Sequence, residues 1–184
     1  VGWIIILFVT ARSFFVDRLK ASCEHSRSLL CVGLDPEPSL MPIKDVAEFN
    51  RSIVDATADL VCAYKPNLAF YEALGIEGLK ALLETVKYIR EVAPWVVIIG
   101  DGKRGDIGSS SRAYAKAMYE VWGFDAVTVS PYLGSDSLEP FLSYEDRGVF
   151  VLCRTSNPGS GDFQALKADC PPRNRPVYEH VAKV

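Results

Sequence analysis

Five short apolar runs recur along this chain, and each is followed by a stretch with helical spacing. The runs cover residues 29–34, 60–64, 96–100, 126–130 and 148–153. They are apolar at nearly every position rather than at alternate ones, which suits strands covered on both faces of a parallel sheet. Between them, residues 46–58, 76–92, 109–122 and 136–144 place apolar side chains at three- and four-residue intervals, the pattern of helices with one buried face. Strands alternating with helices give a parallel sheet with right-handed crossovers. An open doubly wound sheet and a (β/α)8 TIM barrel both satisfy that rule.

The ends of the strands favour the barrel. Asp35, Lys65, Asp101 with Lys103, and Ser156 follow four different runs, at the C-terminal face where barrel active sites collect. No Gly-x-Gly-x-x-Gly follows the first strand, which weighs against a dinucleotide-binding sheet. The expected fold is therefore α/β, a (β/α)8 TIM barrel of which about the first five strand–helix units are present.

Around this frame, residues 13–23 read as a short amphipathic helix, 159–161 as a flexible loop, 169–176 as a connector rich in Pro and Arg, and 177–184 as the beginning of another helix. Residues 1–12 are read as an irregular apolar end and 13–184 as the partial barrel domain. The apolar stretch at 2–9 is far shorter than the ~20 residues of a membrane span, and no basic residues precede it as in a signal peptide. The net charge of −3 comes with no basic tract, so neither nucleic acid nor a membrane is expected as a partner. Five cysteines are scattered without Cys-x-x-Cys spacing. Cys31, Cys62 and Cys153 lie within the apolar runs and are expected to be small buried hydrophobes. With only His25 and His180 to join them, no zinc site is expected, and the usage suits the cytoplasm.

The stretch Asp101-Gly102-Lys103-Arg104-Gly105-Asp106 carries the most chemistry. Strand side chains alternate faces, so Asp101 and Lys103 share one side of the third strand. Charges at the edge of a low-dielectric interior must be paired or used. Asp35, Lys65, Asp101 and Lys103 alternate in sign on three strand ends, and an alternating array of lysines and acids is expected to keep each group charged and to fix the rotamers that electrostatic catalysis needs.

These residues resemble a known family. Lys65-Pro66-Asn67, the stretch Asp101-x-Lys103-x-x-Asp106-Ile107-Gly108, and Ser156-Asn157-Pro158-Gly159 look like orotidine 5′-phosphate decarboxylase. Leu30-Cys31-Val32-Gly33-Leu34-Asp35-Pro36, Ala69-Phe70-Tyr71-Glu72 and Arg154-Thr155-Ser156-Asn157-Pro158-Gly159-Ser160 are similar to its second bacterial subgroup. The resemblance runs from about Phe14 to Val184. It implies a decarboxylation of orotidine 5′-monophosphate to UMP, in pyrimidine biosynthesis, without a cofactor or a metal.

By that resemblance Lys103 donates a proton to the pyrimidine carbon that loses CO2, and Asp101 orients Lys103. Lys65 bridges Asp101 to the ribose, Asp35 accepts a ribose hydroxyl, and Asp106 faces the substrate carboxylate. Ser156 bonds the pyrimidine, with Asn157 and Gly159 in the loop beside it. Asp106, Ile107 and Ser110 serve the neighbouring subunit's site, which makes a homodimer with shared active sites the expected assembly. Ser110 stands where the family commonly has Thr, and Ser130 where Asn is expected before Pro131-Tyr132.

A complete barrel takes about 250 residues and eight strands, whereas this chain has 184 residues. The family's phosphate-binding arginine and Gly-rich loops would lie beyond Val184. The chain is accordingly expected to be a fragment, with an open sheet edge and weak activity by itself. Two alternatives accompany this reading. One is a non-catalytic truncated remnant. The other is a sugar-phosphate decarboxylase or synthase on the same barrel, which would use Mg2+ and a glutamate where this chain has Lys65.

Overall fold

A computed structural model of the protein describes residues 4–7, 14–171 and 173–183. Five parallel strands form its centre: β2 (Cys31–Leu34), β3 (Ala63–Pro66), β4 (Val97–Arg104), β5 (Ala126–Val129) and β6 (Gly148–Arg154). They lie side by side in chain order. A doubly wound sheet would reverse that order at a switch point; an unbroken sequence of neighbours is the singly wound arrangement of a (β/α) barrel.

Helices α2 (Val46–Thr57), α3 (Leu68–Ala73), α4 (Gly75–Val92), α5 (Gly108–Lys116) and α6 (Ser135–Leu142) make the crossovers, and α1 (Phe14–Ser26) precedes β2. Local chemistry sets several of their ends. Asp45 caps α2 by accepting a 2.8 Å hydrogen bond from the Glu48 N–H, satisfying one of the donors a helix start leaves free. Gly75 at φ 65° turns the chain between α3 and α4, a left-handed conformation that glycine takes without steric cost.

The sheet has two apolar faces. Toward the helices, Tyr64, Ile98, Val127, Val129, Val149 and Val151 pack with Val54, Leu82, Ile89, Phe124 and Phe141 in the main core. On the other face Ala63, Val97, Ile99 and Ala126 meet Phe15 of α1. Small residues make room for that ring: a Cβ on Gly148 would stand 2.5 Å from it. Lys65, Asp101 and Thr128 continue this inner face, two residues beyond Ala63, Ile99 and Ala126.

At the N-terminal ends of the strands, the Asp125 carboxylate is 2% exposed and meets Arg18 at 2.9 Å, Arg90 at 2.8 Å and Arg147 at 3.7 Å. It also accepts the Ile98 N–H at 2.8 Å. One buried acid thereby ties α1, α4 and the residue that leads into β6 to the middle of the sheet.

Several expectations are corrected. Residues 4–7, read as part of an irregular end, form strand β1 (Ile4–Leu7), antiparallel to β6. The remainder of 1–12 lies outside the described residues. The edge beyond β6 is thus covered, while among the described residues β2 pairs only with β3. Cys31, expected in the interior, is exposed on that open edge, whereas Cys62 and Cys153 are buried. Between the second strand and the long helix, α3 adds a short helix that the spacing does not predict, started by Asn67 accepting the Ala69 N–H at 3.2 Å. The helix over 109–122 ends its α-helical part at Lys116 and closes with a π-helical turn, Ala117–Val121. The loop at 159–161 lies within a 3-10 turn, Pro158–Asp162. The connector includes a small hairpin, β7 (Lys167–Ala168) and β8 (Arg175–Pro176), before α7 (Val177–Val181).

Candidate active site

Strand β4 carries the centre of the site because it is longer than its neighbours and bulged. Gly100 pairs with Val127 and Arg104 with Val129. Three residues of β4 therefore face one of β5, two more than a regular ladder holds. Bulges of this kind re-aim side chains at barrel rims. Lys103 sits within it at φ 46°, a left-handed backbone that costs a non-glycine residue about 1–2 kcal/mol. Gly105 is required just beyond, since a Cβ there would lie 2.9 Å from the Ser130 carbonyl oxygen.

The bulge gathers three of the expected site residues. Asp101 is 8% exposed. Its Oδ1 accepts hydrogen bonds from Lys103 Nζ at 2.7 Å and Thr128 Oγ1 at 2.7 Å. Its Oδ2 accepts from Lys65 Nζ at 3.0 Å. Burial opposes ionisation of Asp101, but the bonds from Lys103 and Thr128 and the charge of Lys65 outweigh it. Together they hold the carboxyl below the usual carboxylate value. The two ammonium groups keep 31% and 39% side-chain exposure at Lys65 and Lys103, so they face the open mouth while their acid lies beneath them.

The other expected residues surround this array without joining its ion pairs. Asp35 is exposed at the end of β2; β2 is in register with β3, Gly33 opposite Lys65. The carbonyl of Leu34, just before it, is held by Tyr71 Oη at 3.0 Å. Tyr71 in turn accepts from buried Asn50 Nδ2 at 3.0 Å, which also bonds Thr85 Oγ1 at 2.9 Å. Asp106 Oδ1 accepts the Ile107 N–H at 2.8 Å and forms no ion pair with Lys103 of its own chain. Ile107 is 60% exposed, and Ser110 is exposed on the first turn of α5.

Ser156, Asn157 and Gly159 are exposed in the loop after β6. Thr155 Oγ1 donates to Asn157 Oδ1 at 2.7 Å and accepts from Gln164 Nε2 at 2.8 Å, while Gln164 Oε1 takes the Thr155 N–H at 2.8 Å. That clasp shapes the loop presenting Ser156. Arg104, which follows Lys103, pairs with Glu72 of α3 and lies 5.3 Å over the ring of Tyr114. Thr128 and Gln164 are not singled out by the sequence reading, and Glu72 and Arg104 enter it only as members of longer stretches. Thr128 had a detectable signal, a hydroxyl in an otherwise apolar strand. Among the described residues, no group of three or more His, Cys, Asp or Glu side chains is placed to hold a metal ion.

The chain is similar to known proteins. Residues 28–183 match the family described as Orotidine 5'-phosphate decarboxylase / HUMPS family. An orotidine 5'-phosphate decarboxylase of Dehalococcoides mccartyi is 56% identical over 169 residues, spanning 91% of this chain and 62% of the relative. One from Roseiflexus castenholzii is 51% identical over 177 residues, spanning 92% and 62%. The solved structure of Leishmania donovani OMP decarboxylase superposes with a TM-score of 0.79 at 40% identity, over 91% of this chain and 62% of that one. The chain thus spans somewhat under two thirds of the length of these relatives. The chain belongs to the orotidine 5'-phosphate decarboxylase / HUMPS family.

Proposed function

We propose that this chain carries the decarboxylation centre for orotidine 5′-monophosphate, yielding UMP and CO2 in pyrimidine biosynthesis. The single observation that carries the reading is the Lys65–Asp101–Lys103 array at the mouth of the sheet, together with family membership. When the carboxylate leaves as CO2, its bonding electron pair stays on the pyrimidine carbon. The Lys103 ammonium stabilises that developing charge and then delivers its proton to the same carbon, so UMP forms and lysine is reprotonated from water. The interaction strengthens as charge appears, which is how an electrostatic group lowers a barrier. Asp101 orients Lys103, Lys65 reaches toward the ribose, Asp35 accepts a ribose hydroxyl, and Ser156 with Asn157 and Gly159 borders the base.

The shared site belongs to the same proposal. Asp106, Ile107 and Ser110 leave their own chain's array and are exposed or half-buried, free to face a second copy in a homodimer. A cytoplasmic location fits this function; among the described residues no helix is long and apolar enough to cross a membrane. The Mg2+-dependent sugar-phosphate reaction is the less favoured reading. A cation at Asp101 would have to displace the Lys65 ammonium, 3.0 Å from its Oδ2.

The test is conversion of orotidine 5′-monophosphate by this chain and by a chimera supplying, from the Dehalococcoides mccartyi relative, the part of its length that this chain does not match. UMP formation without added metal supports the reading. Turnover only of a sugar phosphate with Mg2+ overturns it. Mixing Lys103→Ala with Asp106→Ala subunits tests the shared site: regained activity supports it, and none contradicts it.

A further inference from the structure

The two-residue bulge in β4 leaves a gap in the ladder that no backbone group fills. Opposite it stands Thr128, 3% exposed, with its hydroxyl in the place of the missing partner. Thr128 Oγ1 accepts the Lys103 N–H at 2.9 Å and donates to Asp101 Oδ1 at 2.7 Å. A hydroxyl has one proton to give and lone pairs to receive with, so both bonds form at once and neither is ambiguous in direction. Beyond the bulge the ladder resumes, with the Ser130 N–H on the Arg104 carbonyl at 2.7 Å.

We propose that Thr128 is a positioning residue for the decarboxylation proposed above, its hydroxyl setting both the backbone of Lys103 and the carboxylate that orients the Lys103 ammonium. The inference rests on that reading for its kinetic consequence, but its geometry stands apart from it. Lys103 adopts a left-handed backbone that takes its N–H out of the regular ladder, and Thr128 is the acceptor the fold provides. The same hydroxyl fixes the oxygen of Asp101 that also receives Lys103 Nζ. Main chain and side-chain tip of one lysine are thereby referred to one atom of β5. A valine has nearly the same shape and keeps the packing but loses both bonds. A serine keeps both bonds and loses only a methyl group.

The experiment compares Thr128→Val and Thr128→Ser with the parent, both in this chain and in the chimera described above. Misplacing a reacting group by about 1 Å costs on the order of 100-fold in rate. Thr128→Val is expected to lower kcat by about that factor with KM within about three-fold, while Thr128→Ser stays within about five-fold in kcat. Hydrogen exchange at the Lys103 amide is read in parallel: protection is lost with Val and kept with Ser. The proposal is overturned if Thr128→Val keeps kcat within about three-fold of the parent, if Ser is as impaired as Val, or if the Lys103 amide stays protected in Val. If Val does not fold, Thr128→Ala makes the same two losses and is judged by the same outcomes. If the parent does not decarboxylate the nucleotide, the functional reading fails while amide exchange still decides the role of Thr128.

Discussion

The ammonium of Lys103 stands 2.7 Å from Oδ1 of Asp101, two residues back along the same bulged strand. Lys65 holds the other carboxylate oxygen from the neighbouring strand. One buried acid therefore spaces two cations that would otherwise repel. Replacing Asp101 with Asn leaves the lysines uncompensated. Asp101→Asn is expected to lower kcat by at least about 100-fold and to destabilise the fold by about 1–3 kcal/mol, measured by turnover and by urea unfolding.

The same carboxyl sets a pH dependence. Its pKa is lowered in the folded chain because the bonds from Lys103 and Thr128 and the charge of Lys65 outweigh burial. The stability it contributes is fully present above the unfolded value, about 3.9, and is lost as pH falls through the lower folded value. Unfolding free energy measured between about pH 5 and pH 2 should fall more steeply for the parent than for Asp101→Asn. Equal slopes would contradict the pairing.

Tyr71 supports the other side of the mouth. Its hydroxyl holds the Leu34 carbonyl and receives Asn50, so Tyr71→Phe strands two buried polar groups. A cost of about 1–3 kcal/mol is expected, with a raised substrate KM because Asp35 follows directly on Leu34. Thermal unfolding and steady-state kinetics check the two effects separately.

Most of the frame was legible in the sequence. The five apolar runs contain the five parallel strands, and Asp35, Lys65 and Ser156 fall at or just past their C-terminal ends, while β4 runs on beyond its apolar run through Asp101 and Lys103 to Arg104. What was not legible depends on partners distant along the chain. The hydroxyl of Thr128 stands out in an apolar strand, but the bulge exists only where β4 meets β5, so its place opposite Lys103 is not readable locally. Cys31 reads as interior within its apolar run, yet β2 has one neighbour among the described residues and leaves it exposed. The Ile4–Leu7 strand likewise depends on the edge of β6, which an apolar stretch cannot announce by itself.

Asp125 carries stability away from the site. Three guanidinium groups and the Ile98 N–H converge on it, and removing a buried ion-pair partner is strongly destabilising because the remaining charges stay uncompensated. Asp125→Ala is expected to cost about 3 kcal/mol or more in urea unfolding. In protein that remains folded, the decarboxylation rate should stay near that of the parent.

Lys103, held by Asp101 on the bulge, is proposed as the proton donor to the decarboxylated pyrimidine. Release of CO2 from orotidine 5′-monophosphate by the chimera, with and without Lys103→Ala, tests that role most directly. Rapid release by the parent is expected, with a loss of at least about 1000-fold for Lys103→Ala, the variant remaining folded. Release by Lys103→Ala within about ten-fold of the parent would contradict it.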